Sequence, residues 1–168
     1  MAASLLLMAL DISEKKETDS VKKNRIDSLV VVLRMKRDSL SKFADDDNKV
    51  FQRFLAAYKL PHASPTDRKI RDSIIHATLI EATNSPLIAA QLIERILALN
   101  ARSINLSAEN VLSDVKASAV LLNASFDALI IIVTDNIRQL NLSESIPFKE
   151  NRDRSVQEEK ITFDSIMR

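Results

Sequence analysis

From Ile26 to Tyr58, apolar residues recur at three- and four-residue steps: Ile26, Leu29, Val30, Leu33, Leu40, Phe43, Ala44, Val50, Phe51, Phe54, Leu55 and Tyr58. That is the period of a helix with one buried face. Arginine, lysine and aspartate fill the other positions. The pattern predicts one long helix opening after Thr18-Asp19 and closing at Pro61, since proline disfavours helical backbone in the residue before it. Ser64-Pro65-Thr66-Asp67 is a start signal: a serine cap, a proline at the first helical position and an acid three residues after the cap. The helix it opens carries Ile70, Ile74, Ala77, Leu79 and Ile80. Ser85-Pro86 repeats the signal and predicts a restart, with a further helix through Ile88, Leu92, Ile96 and Leu99. Asn100 to Asn110 mixes Ser, Asn and Ala and reads as a loop or a loosened helix end.

Ser113 is expected to cap the most apolar helix, Val115 to Ile137. This helix is hydrophobic nearly all round, which suits the middle of a bundle or a subunit interface. Ahead of these, Met1 to Leu10 is apolar but too short to span a membrane, and it lacks the basic residues that begin a secretory signal. It reads as a core helix. After Asn141 the composition turns polar, with Pro147 and a short apolar repeat at Ile161, Phe163 and Ile166. The expected organisation is a helical domain over 1–142 and a polar tail over 143–168, holding at most one short helix. The fold expected is all-α: a helical bundle with a long second helix and a buried apolar last core helix, with a preference for self-association.

Composition narrows the chemistry. The 168 residues include no glycine, where ordinary usage would supply about a dozen. Phosphate-binding loops, dinucleotide fingerprints and nucleophile elbows all need glycine where backbone must approach a ligand or turn sharply. Helices must also end without a left-handed glycine cap. Lys+Arg 24 against Asp+Glu 23 leaves a formal charge of +1, and aromatics are 4%. Neither fits a dedicated nucleic-acid binder. With no cysteine, thiolate catalysis and thiolate metal sites are excluded, and a cytoplasmic setting fits. His62 and His76 are the two histidines, not at metal-ligand spacing, so no metal site is expected.

Polar residues on apolar faces are the candidates for chemistry. Asp47 falls between Phe43 and Phe51 on the long helix's apolar face. It is either a carboxylate lining a pocket or the mark of a helix break at Asp45-Asp46-Asp47-Asn48. On the apolar helix Lys116, Asn123, Asp127, Thr134 and Arg138 fall near one side, a polar cavity wall or a solvent stripe. Asp114 sits at a helix start, where the dipole alone favours an acid. Lys15-Lys16 and Lys22-Lys23 are solvated faces or grips for an anionic ligand tail.

The order of landmarks is informative: Asp47-Asn48-Lys49-Val50-Phe51, Ala56-Ala57-Tyr58-Lys59-Leu60-Pro61, Ala82-Thr83-Asn84-Ser85-Pro86-Leu87, Ser113-Asp114 and Asn136-Ile137-Arg138. Over roughly Leu5 to Leu142 this resembles the cyclodeaminase/cyclohydrolase family, which includes the cyclodeaminase domain of formiminotransferase-cyclodeaminase and bacterial methenyltetrahydrofolate cyclohydrolases. The resemblance implies an all-helical protein, a homodimer or a dimer of dimers, with a folate site at a bundle or subunit interface. It implies a reduced folate as substrate, no tightly bound cofactor, and no nucleic-acid or membrane partner. The implied reaction is ring closure of a formimino-tetrahydrofolate with loss of ammonia, or hydrolysis of methenyl-tetrahydrofolate. Asp47 and Asp114 would be the acid and base, and Lys15, Lys16 and Ser113 would bind substrate. The chain departs from the family in lacking its glycine-rich opening segment. Val115-Lys116-Ala117-Ser118 also stands where small residues including glycine usually follow the Ser-Asp pair. These departures fit either a chain whose true start lies upstream or the alternative expectation, an inactive relative kept as a helical homodimeric scaffold or partner-binding module.

Overall fold

The computed structural model describes residues 1–168. The helices are α1 (Ala2–Lys16), α2 (Ser20–Tyr58), α3 (Pro65–Ser103), α4 (Leu112–Ile137) and α5 (Leu142–Met167); two 3-10 turns, Ile104–Leu106 and Glu109–Val111, bridge α3 and α4. There is no strand. α1, α2, α3 and α4 surround one core built from Leu6 and Leu10, Ile26 and Leu33, Ile96 and Leu97, and Val115 and Phe126.

Local sequence explains the helix ends. Asp19 caps α2 by accepting from the Val21 N–H at 2.8 Å. Ser64 and Asp67 form a reciprocal capping box at α3, with bonds of 3.0 and 3.1 Å. No residue has positive φ, so every helix stops in extended or right-handed backbone, in keeping with a chain that has no glycine for a left-handed cap. α1, for example, ends at an extended Glu17 whose N–H still bonds the Ser13 carbonyl at 3.0 Å.

The expected restart at Ser85-Pro86 is not there. α3 is one 39-residue helix with Pro86 inside it. Proline removes the N–H that would bond the carbonyl four residues back, at Ala82. That carbonyl is satisfied across the bundle by the side-chain amide of Asn136, which donates at 2.8 Å. Nor does α2 break at Asp45-Asp46-Asp47-Asn48; it is continuous to Tyr58.

Two further expectations change. Ser113 does not cap α4. The preceding 3-10 turn runs straight into the helix, so the cap position is Val111 and Ser113 lies exposed in the first turn. Residues 143–168, expected as a polar tail, lie almost wholly in the 26-residue helix α5. Asn141 caps it through the Glu144 N–H at 3.0 Å, and Pro147, its sixth residue, lies inside the helix and leaves the carbonyl of exposed Ser143 without its helical N–H. Its inward positions recur at helical steps but are mostly polar (Ser145, Ser155, Glu159), which hides them from a hydrophobic pattern. Phe148 packs on Leu87, Val133 and Ile137, and Ile166 enters the main core.

α1 runs antiparallel to α4. Lys16 reaches Asn110 at 2.9 Å, and Ser118 donates to the Ala2 carbonyl at 3.0 Å. Beyond Ser118, α4 has no α1 beside it. There the outer half of α2, the first half of α3 and the end of α4 face one another across an open cleft.

Candidate functional site

Asp47 stands in that cleft. Its half-buried carboxylate accepts a hydrogen bond from the Ser85 hydroxyl at 2.6 Å, joining α2 to α3. Val50, Phe51 and Phe54 line the cleft from α2, Ala82 and Pro86 from α3, and Leu129, Ile132 and Asn136 from α4, around a volume of about 330 Å³. Six of its nine lining residues are hydrophobic. A carboxylate fixed by one hydroxyl in an apolar wall has its second oxygen free to accept from a ligand N–H, and flat aromatic and aliphatic surfaces beside it suit a planar ring. The apolar step pattern found Asp47 because the helix is regular through it.

Two cleft residues did not emerge as site candidates, Ser85 and Asn136. The sequence carries a signal for Asn136. A proline inside a helix orphans the Ala82 carbonyl, and a buried orphan needs a donor. The same amide that supplies it locks α4 against α3 at the cleft floor.

The other predicted residues gather at the opposite end of the bundle. Lys16 lies against Asn110 just ahead of α4, where Ser113 and Asp114 occupy the first turn. Lys15 turns away into a groove of about 380 Å³ with Asp11, Arg34 and Arg37. Along α4, Asp114 precedes Leu129 by about 22 Å at the helical rise per residue. Within one chain, therefore, Asp47 and Asp114 do not meet.

Of the polar positions on α4, the Asn123 amide donates to Asp127 at 2.9 Å and Arg138 pairs with Asp135 at 2.8 Å. His76 on α3 bonds Glu144 at the start of α5 at 2.7 Å, which makes it a clasp between helices. The most perturbed acid is Glu159 on α5. Burial pushes its carboxyl up to about 7, helped by the negative charges of Asp127, Asp164 and Glu94. It is 5% exposed, and one of its oxygens has no hydrogen-bond partner. Glu94 on α3 is also raised, first by its own burial and then by neighbouring Glu158, against the lowering effect of a Ser155 hydrogen bond.

The family model described as formiminotransferase-cyclodeaminase matches residues 1–154. The chain belongs to that family. Among solved structures it is similar to formiminotetrahydrofolate cyclodeaminase from Thermotoga maritima, with a TM-score of 0.85 at 18% identity, over 99% of this chain and 79% of that one. At that identity the likeness establishes the fold. It extends past residue 154, so most of α5 belongs to the shared architecture as well. No curated protein matches the sequence significantly.

Proposed function

We propose that this protein closes the ring of a formimino-tetrahydrofolate with release of ammonia, in a site shared by two copies of the chain. Family membership and the fold support the substrate class. Ring closure takes a proton from the ring-forming nitrogen and delivers one to the departing ammonia, work for two carboxylates in different environments. Hydrolysis of a methenyl-folate would use the same pair on water. The single observation that carries the two-chain site is the outer face of α4.

That face is apolar yet open. Val120 is 46% exposed and Ile131 63%, and Ala117, Ala124 and Ala128 are exposed beside them. The stripe is symmetric about Ala124. An antiparallel pair of α4 helices on a two-fold axis at Ala124 sets Ala117 against Ile131 of the partner subunit and Val120 against Ala128 of the partner subunit. Each large side chain meets a small one, twice, as an isologous interface requires. The same pairing brings Asp114 level with Thr134 of the partner subunit. Asp114 and Ile132 lie about five helical turns apart, so they share one flank of the stripe. On that flank Ile132 opens into the Asp47 cleft. Asp114 and Ser113 of the partner subunit then complete the cleft that holds Asp47. The folate ring lies on Phe51, Phe54 and Ile132, and Lys16 of the partner subunit serves its anionic tail, while Lys15 faces a separate groove.

Mixing two inactive variants tests this. Asp47→Asn and Asp114→Asn should each lack cyclodeaminase turnover. Equal amounts, unfolded and refolded together, should recover about a quarter of wild-type activity, because half the dimers are mixed and each mixed dimer has one intact site. No recovery from well-folded mixed dimers would place both acids in one chain's site or in none. Full activity of both single variants would remove the carboxylates from the mechanism, and absence of turnover in the well-folded wild-type protein would leave the scaffold as the better account.

A further inference from the structure

A groove of about 700 Å³ runs between the first turns of α2 and the end of α3, closed below by the turn Ile104–Leu106. Arg25 enters it from α2 and Arg102 from the last turn of α3. Both are exposed, and neither makes an ion pair or donates a hydrogen bond. The amides of Asn24 and Asn105 lie beside them with no side-chain hydrogen bond of their own, and none of the eight lining residues is acidic.

Several other basic positions have acids beside them. Lys22 and Lys23 on the same helix are held by Glu17 and Glu14 at 3.0 Å. Arg34 and Arg37 have Asp11 and Asp38. Arg95 and Arg154 share their groove with Glu94 and Glu158. Asp27 is two residues from Arg25, which on a helix puts it on the far side. Two guanidiniums from separate elements thus face one acid-free concavity, with apolar floor from Leu29 and Leu106. A guanidinium presents a planar fork of donors that matches carboxylate or phosphate oxygens two at a time.

We infer that the groove between α2 and α3 is a second ligand site, distinct from the Asp47 cleft, that binds a compact polyanion through Arg25 and Arg102. Carboxylate and phosphate present the same oxygen pairs to a guanidinium, so either can supply the charge. The two arginines act together. A ligand with anionic groups at both ends engages both, and a single monoanion engages one.

Isothermal titration with citrate and with inorganic pyrophosphate, each at low salt and again with added sodium chloride, tests the site on the intact protein. At least one probe should bind saturably, weakening as salt rises. Arg25→Gln and Arg102→Gln should each reduce affinity about tenfold or more, the loss of a charge-assisted hydrogen-bonded pair. The citrate and pyrophosphate arms decide which anion class is preferred. Circular dichroism of the variants should be unchanged, since neither arginine supports the fold. Absence of saturable binding by both probes, or affinity unaltered in both variants, overturns the inference. The ring-closure experiment above does not depend on either arginine, so the two can fail separately.

Discussion

Replacing Glu159 with glutamine should make the protein more stable at pH 8 and leave it almost unchanged at pH 5. Glu159 faces Asp127 from α4, Glu94 from α3 and Asp164 from its own helix. Its ordinary value of 4.5 applies to the unfolded chain, and in the folded protein it is pushed up to about 7. Between those two values the native state keeps a proton that the unfolded state has lost. The unfolded state then binds fewer protons, so stability falls as pH rises. The fall is at most about 1.4 kcal/mol per pH unit, and the contribution is flat below the lower value and again above the upper one. Relaxation of α5 and entry of water reduce the full interval to roughly 1–3 kcal/mol. Glutamine has the same shape and no charge. At pH 8, Glu159→Gln should therefore gain most of that amount, raising Tm by about 3–8 °C for a chain of this size. Urea unfolding followed by circular dichroism at pH 5, 6, 7 and 8 measures the difference directly. The reasoning is refuted if wild-type and variant curves stay parallel across that range, or if the variant is the less stable at pH 8.

Other outcomes follow from particular contacts. Asn136→Ala should cost about 1–2 kcal/mol in urea unfolding, because it strands the Ala82 carbonyl that Pro86 already deprives of its helical partner. Asn136→Asp, which can only accept when ionised, should be no better, and rescue by aspartate would disprove the donor role. Ser64→Ala removes one arm of the capping box and should lower stability by about 1 kcal/mol; a change near zero would mean Pro65 alone fixes the helix start. Ala124→Arg places two cations at the proposed two-fold axis and should convert a dimer to a folded monomer by light scattering, with turnover lost. A dimer that survives this change would move the interface off α4.

Much of the bundle was legible because its helices announce themselves by period and by caps: Asp19 opens α2, Ser64-Pro65 opens α3, and both hold as read. What the sequence hid is where a local rule was overruled by a contact from elsewhere in the chain. Ser85-Pro86 has every mark of a helix start and is not one, because Asn136 satisfies the freed carbonyl from another helix. Between Phe148 and Phe163, α5 turns serines and a carboxylic acid inward, so the middle of its inner face carries no hydrophobic signal. The site shows the same division. Asp47 was visible because it interrupts an apolar stripe on its own helix. The proposed pairing of Asp47 with Asp114 rests on landmark order, since the two stand at opposite ends of one chain. An apolar helix whose outer face is open, with its small and large residues reversed about one alanine, is what reconciles that order with the geometry. The helix that one chain leaves half uncovered is the one that a second copy would need in order to bring the two acids together.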